Sequence, residues 1–214
     1  MFKQISVLIL SLGLSISVSA ADKTNATLKK ASQKYRAAKL VEMSFEKTVK
    51  FISGKTTKYT GTLTMANGKF RLETKTPDEE LLVFDGTTLW IVQYPPKEFG
   101  GAPQISRGKP DKKGRQQMLA ATLIGGDIQK TFKVTGENKE GDKSTLSISP
   151  RDELPVKDLK MIVDTKMSEI KEITYSDEID NQISMSFSDI KFKDSVKKNI
   201  FKYEPPKGAQ VTNL

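Results

Sequence analysis

The stretch Leu81–Tyr94, LLVFDGTTLWIVQY, constrains the fold more than any other part of the chain. It reads as two apolar strands joined at Asp85-Gly86, a hairpin signal that works because glycine accepts a positive φ without steric penalty. The first arm, Leu81 to Phe84, is apolar at every position, so both of its faces must be covered. The second arm alternates, with Trp90, Val92 and Tyr94 on one face and Leu89, Ile91 and Gln93 on the other. Trp90 is the only tryptophan in the protein. A sheet that is apolar on both sides needs either a second layer of protein or an apolar ligand.

The rest of the chain supplies the sheet. A helix is expected from Thr24 or Asn25, either of which can cap it, to about Leu40. Leu28, Ala31, Tyr35 and Ala38 form its apolar stripe. Met43, Phe45, Val49 and Phe51 then recur at strand spacing, with Lys47 the break. Tyr59 to Met65 and Phe70 to Lys75 alternate cleanly on either side of Asn67-Gly68, a second hairpin signal. Residues Lys97 to Arg115 are rich in Gly, Pro and Lys and read as a loop. A second, short helix runs from Arg115 to Ile124, with Met118, Leu119 and Leu123 on one face, and closes at Gly125-Gly126. Strand patterns return at Phe132, Leu146, Leu159–Val163, Ile173–Tyr175 and Ile183–Phe192, and Ile200–Tyr203 reads as a last short strand. About ten strands with two or three helices predict a mainly β (α+β) fold. Its curved antiparallel sheet should form an open or half β-barrel, roofed by the helices over an apolar cavity.

Residues 1–20 stand apart. A positive start at Met1–Lys3, an apolar run from Ile5 to Val18 and small residues at Val18-Ser19-Ala20 read as a secretory signal cleaved after Ala20, leaving a single domain, 21–214. The alternative, a membrane anchor, is disfavoured because the apolar run is short of the roughly 20 residues that a span needs. The chain has no Cys and no His. That removes the commonest nucleophile–base pairs and makes a zinc site improbable. No metal and no cofactor are expected. The acidic neighbours Glu79-Glu80 and Asp177-Glu178 fall in turns, where carboxylates are ordinarily solvated, so an enzyme is disfavoured. The net charge of +9 comes from Lys spread along the whole chain. It reads as a solvated surface, with attraction to anionic lipid head groups or an acidic partner as the alternative, and no nucleic-acid partner is expected.

Taken in order, several pieces resemble the LolA family, periplasmic carriers of outer-membrane lipoproteins. They are Ser44-Phe45-Glu46-Lys47, near the family's Phe-x-Gln stretch; Gly61-x-Leu63; Phe70-Arg71; Pro77-Asp78; Leu82-Val83-Phe84-Asp85-Gly86-x-x-Leu89-Trp90; Phe132-x-Val134; Phe187-Ser188-Asp189; and Phe201-x-Tyr203-x-Pro205-Pro206-x-Gly208-x-x-Val211. The resemblance implies a monomer in the periplasm that takes the acyl chains of lipoproteins into its cavity. It implies receipt of cargo from an inner-membrane lipoprotein-releasing ABC transporter and delivery to an outer-membrane acceptor, LolB-like or other. A LolA-like sensing module that binds lipid or lipoprotein without carrying it is the alternative. A lipid-anchored acceptor is disfavoured by the missing Cys. The expected cavity lining is Leu63, Met65, Phe70, Leu72, Leu82, Phe84, Trp90, Val92, Met161, Val163, Ile173, Met185 and Phe187, with Met118, Leu119 and Leu123 from the roof. In many members an Arg-Pro pair precedes the Phe-x-Trp strand, and the resemblance implies that this Arg holds the lid helices closed. Here the turn is Met65-Ala66-Asn67-Gly68-Lys69, so Lys69 and Arg71 are the candidate substitutes.

Overall fold

The computed structural model describes residues 25–126 and 128–214. The expected signal at 1–20, and Thr24, lie outside them. Among the described residues, twelve strands form one sheet. They are β1 (Leu40–Lys50), β2 (Thr56–Ala66), β3 (Lys69–Thr76), β4 (Glu80–Phe84), β5 (Leu89–Gln93), β6 (Gln104–Gly108), β7 (Phe132–Glu140), β8 (Lys143–Pro150), β9 (Val156–Asp164), β10 (Glu169–Asp177), β11 (Gln182–Lys193) and β12 (Val211–Asn213). Their order across the sheet is β12-β6-β5-β4-β3-β2-β1-β11-β10-β9-β8-β7. Two meanders, β1–β6 and β7–β11, are zipped together where β1 pairs β11, from Leu40↔Lys193 to Lys50↔Gln182. The edge strands β12 and β7 do not pair, so the curved sheet stays open, as the strand patterns predict.

This topology explains why helices cover one face. The chain leaves β6, next to the β12 edge, and must re-enter at β7 on the other edge. The crossing carries α2 (Lys112–Gln117), α3 (Leu119–Gly125) and α4 (Ile128–Thr131), and it lies across the sheet because α3 is apolar nearly all round. Leu119, Leu123 and Ile124 are buried there against the inner residues of both meanders. Each fully buried side chain of this kind stabilises by about 1.5–3 kcal/mol. The expected single helix from Arg115 is in fact two, divided at Met118, and the expected loop 97–115 contains β6 and most of α2.

The two hairpin signals resolve differently. Asn67 and Gly68 have φ of 48° and 74° and close a two-residue loop between Ala66 and Lys69. Asp85-Gly86 instead opens a four-residue loop, because Phe84 pairs with Leu89. The Asp85 carboxylate accepts from the backbone N–H groups of Thr87 and Thr88, both at 2.8 Å, and Gly86 takes φ 102°.

The first helix, α1 (Ala26–Ala37), precedes the sheet in the chain and packs on β9, β10 and α3. The Asn25 side chain accepts from the Leu28 N–H at 2.9 Å, the expected cap. Polar ties hold the helix at both ends. Near its C-terminus the Tyr35 hydroxyl accepts from the buried Ile170 N–H at 3.1 Å, and the Lys34 ammonium pairs with Glu169 at 2.8 Å. At its start Glu137 of β7 accepts from Asn25, Thr27 and Ser144 at 2.9, 2.6 and 2.6 Å. Desolvation by itself raises the pKa of Glu137, but these three donors and the Lys139 ammonium outweigh it and bring it down to about 2. A depressed carboxylate pKa contributes stability that is complete above its unfolded value near 4.5 and is lost as pH falls towards 2. Partial solvent screening limits this to about 1 kcal/mol. Glu137→Gln should therefore lower stability at pH 7 by about that amount and flatten the acid limb below pH 4.5. Urea titrations at several pH values measure both effects, and an unchanged acid limb would place the sensitivity elsewhere.

Candidate functional site

The inner face carries one continuous apolar cluster. Of the sixteen residues expected to line a cavity, fourteen belong to it. Leu63, Met65, Phe70, Leu82, Met161, Val163, Ile173, Met185 and Phe187 are buried on the sheet, and Met118, Leu119 and Leu123 are buried on the helices. Leu72 and Phe84 are partly buried against them. Met43, Phe45, Leu89 and Ile91, absent from the expected lining, belong to the same cluster. Met43 and Phe45 could have been found, since they share strand parity with each other and are paired with Leu63 and Gly61.

Trp90 and Val92 are the corrections. They lie on the outer face, with Leu81, Val83 and Ile105. Cross-strand pairing requires this: Val83 pairs with Trp90 and Leu81 with Val92, so these four share a side, and Leu89 and Ile91 take the inner places. A second layer covers the outer face. The segment after β11 puts Ile200 and Phe201 against Leu40 and Ala66. Tyr203 then stands 5.3 Å from the Trp90 ring, and β12 pairs in parallel with β6. The expected strand at Ile200–Tyr203 is thus a covering segment, and the strand comes later, at Val211. The doubly apolar β4 is explained: Leu82 and Phe84 face the helices, Leu81 and Val83 face this segment.

The candidate gate residues are also corrected. Arg71 pairs across the sheet with Val83 and Thr64, on the outer face, and its guanidinium donates to Glu73 at 2.7 Å. Lys69 follows the turn on the same parity and is exposed. Neither reaches the helices that cross the inner face. At that end α3 comes close to β2. A Cβ at Gly125 would sit 3.4 Å from the Met65 sulfur.

The cluster is not solid. A cavity of about 330 Å³ lies at the end near the β2–β3 turn, among Tyr35, Ala38, Val41, Met65, Gly125 and Gly126. A second, of about 200 Å³, lies at the opposite end of the strands, between the sheet and the helices. Its walls are Phe45, Phe70, Leu72, Leu82, Ile173 and Met185 from the sheet, with Ala120 and Ala121 above them. Its mouth is polar: Lys47, Glu80, Gln116, Gln117 and Tyr175. The Lys47 ammonium sits 4.5 Å from the centre of the Tyr59 ring. Burial lowers its pKa, and the Glu80 carboxylate partly offsets this. Burial and the nearby Asp177 raise the Tyr175 pKa to about 12, so it is a neutral hydroxyl. Glu80, expected from sequence to be a solvated turn charge, instead faces inward at the start of β4, level with Thr74 and Gln93.

Among the described residues no group of three or more acidic, His or Cys side chains could hold a metal ion, and no helix is long and apolar enough to cross a membrane. What the arrangement offers chemically is apolar surface under a roof of helices, with a polar mouth.

Comparison with known proteins agrees with this architecture. Residues 36–204 match the family described as outer membrane lipoprotein carrier protein LolA. The outer-membrane lipoprotein carrier protein of Chromobacterium violaceum is 28% identical over 179 residues, covering 82% of each chain. That of Alcanivorax borkumensis is 25% identical over 155 residues, covering 71% of this chain and 70% of the other. Among solved structures, a LolA superfamily protein from Nitrosomonas europaea superposes with a TM-score of 0.50 at 11% identity, covering 83% of this chain and 96% of that one. An uncharacterised conserved protein from Thermus thermophilus gives a TM-score of 0.53 at 11% identity, covering 88% of this chain and 97% of that one. With the family match spanning most of the chain, and the open sheet and its crossing helices in place, this protein belongs to the LolA family.

Proposed function

We propose that the protein carries acylated lipoproteins through the periplasm, receiving them from an inner-membrane lipoprotein-releasing ABC transporter and handing them to an outer-membrane acceptor. The observation that carries this reading is the unfilled, apolar-walled space between the inner face of the sheet and the roof helices, beside Phe45, Phe70 and Leu82. Cargo chains and lid compete for the same surface. Burying one CH₂ stabilises by about 0.8 kcal/mol, so even a partly sheltered chain offsets the cost of lifting the lid. Re-closure of α3 on Met65, Phe70 and Leu82 then favours release. The methionines suit changing occupants, because an unbranched thioether repacks easily. The protein acts by binding and not by catalysis, and residues 1–20 serve to export it.

The test is transfer. The protein is incubated with inner-membrane vesicles that hold a labelled lipoprotein and the energised exporter from the same source. A soluble one-to-one complex is the expected result. If no complex forms with folded protein, the carrier role fails and the sensing alternative takes its place.

A further inference from the structure

The mouth of the smaller cavity carries two opposite charges that do not satisfy one another. Among the described residues no carboxylate lies within ion-pairing distance of the Lys47 ammonium, whose close partner is the Tyr59 ring. Glu80 accepts only a long hydrogen bond, 3.4 Å, from Gln93. Both groups line the same opening, and they feel one another electrostatically across it. A partly buried lysine with no carboxylate beside it favours an anionic partner.

An anionic head group entering here would be drawn to Lys47 and repelled by Glu80, and a cationic one would meet the reverse. A head that carries both charges meets both. We propose that this mouth is a head-group subsite for a zwitterionic acylated amphiphile of the phosphoethanolamine kind. The anionic part of the head pairs with Lys47, its ammonium pairs with Glu80, and the acyl chain runs inward beside Phe45, Phe70 and Leu82. Gln116 and Gln117 of the roof add neutral donors and acceptors at the same level. The inference rests on the carrier reading for the chain-binding space and adds to it a second class of occupant, a zwitterionic lipid.

The experiment compares three monoacyl probes of one chain length on the purified protein by calorimetry: lysophosphatidylethanolamine, lysophosphatidylglycerol and a neutral monoacylglycerol. The zwitterionic probe should bind about tenfold more tightly than either of the others, the usual scale for two charge-assisted contacts at a partly wet site. Lys47→Met and Glu80→Gln should each bring it to the level of the monoacylglycerol. Glu80→Gln keeps shape and sits at the mouth, so it reads the subsite even if Lys47→Met disturbs folding. Equal binding of all three probes, indifferent to both substitutions, overturns the subsite and leaves the apolar cavity standing. Failure of every probe to bind overturns the cavity reading and the subsite with it.

Discussion

Gly61→Ala should be among the most damaging single substitutions in this protein. A Cβ built at Gly61 would lie 1.9 Å from the carbonyl oxygen of Glu73 and 2.8 Å from the Phe45 ring. The first contact is with backbone, which cannot rotate away. Gly61 also sits beside a register shift between β2 and β3, so the two strands approach there because no side chain intervenes. Relief requires separating β2 from β3 in the middle of the first meander. The expected loss is more than about 3 kcal/mol, in the range reserved for steric strain in a packed interior. For a chain of this size that lowers the melting temperature by at least about 6 °C. Gly136→Ala is the control: its Cβ would meet nothing closer than Ser147 at 3.7 Å, an ordinary contact. Thermal melts followed by circular dichroism separate the two. Equal melting temperatures would mean that β3 can shift without cost.

The second large effect is on binding. Leu82 is 2% exposed, pairs with Leu72 and Ile91, and forms part of the wall of the smaller cavity. Leu82→Glu puts a carboxylate into that wall. The opening beside it lets the longer side chain turn towards the mouth and Lys47, so the charge is not sealed in dry core. The expected cost is about 2–3 kcal/mol of stability, below the loss typical of an isolated buried charge. Acyl capture in the transfer assay should disappear, because the chain would have to pass an ionised group. A variant that folds and still captures lipoprotein would show that the chains lie at the other cavity, near Met65 and Gly125. A variant that does not fold would show that the wall at Leu82 is closed core.

The features legible in the sequence are those that depend on neighbouring residues. The strand patterns from Tyr59 to Lys75 and from Ile183 to Phe192 could be read because alternation is local, and the helix cap at Asn25 needs only its own turn. The inner-face parity of Phe70 and Leu72 follows for the same reason, whereas that of Leu82 in the unbroken apolar arm does not. Trp90 and Val92 could not be assigned this way. Both faces of that hairpin are apolar, so periodicity separates the two sets but does not say which set faces inward. Lys47 was visible only as a break in a pattern, and Glu80 only as a charge near a turn. Their meeting at one opening depends on four strands lying side by side.

Residue order alone was enough to dictate a long antiparallel sheet with more apolar surface than one layer can hide, since burial drive and strand periodicity are both written residue by residue. How that surface is shared was settled only by assembly. The crossing between β6 and β7 brings α3 onto one face, and the segment from Ile200 to Val211 closes the other. Those assignments follow from strand order and cross-strand register, which are set by contacts between residues far apart in the chain, and no local pattern of hydrophobicity encodes them.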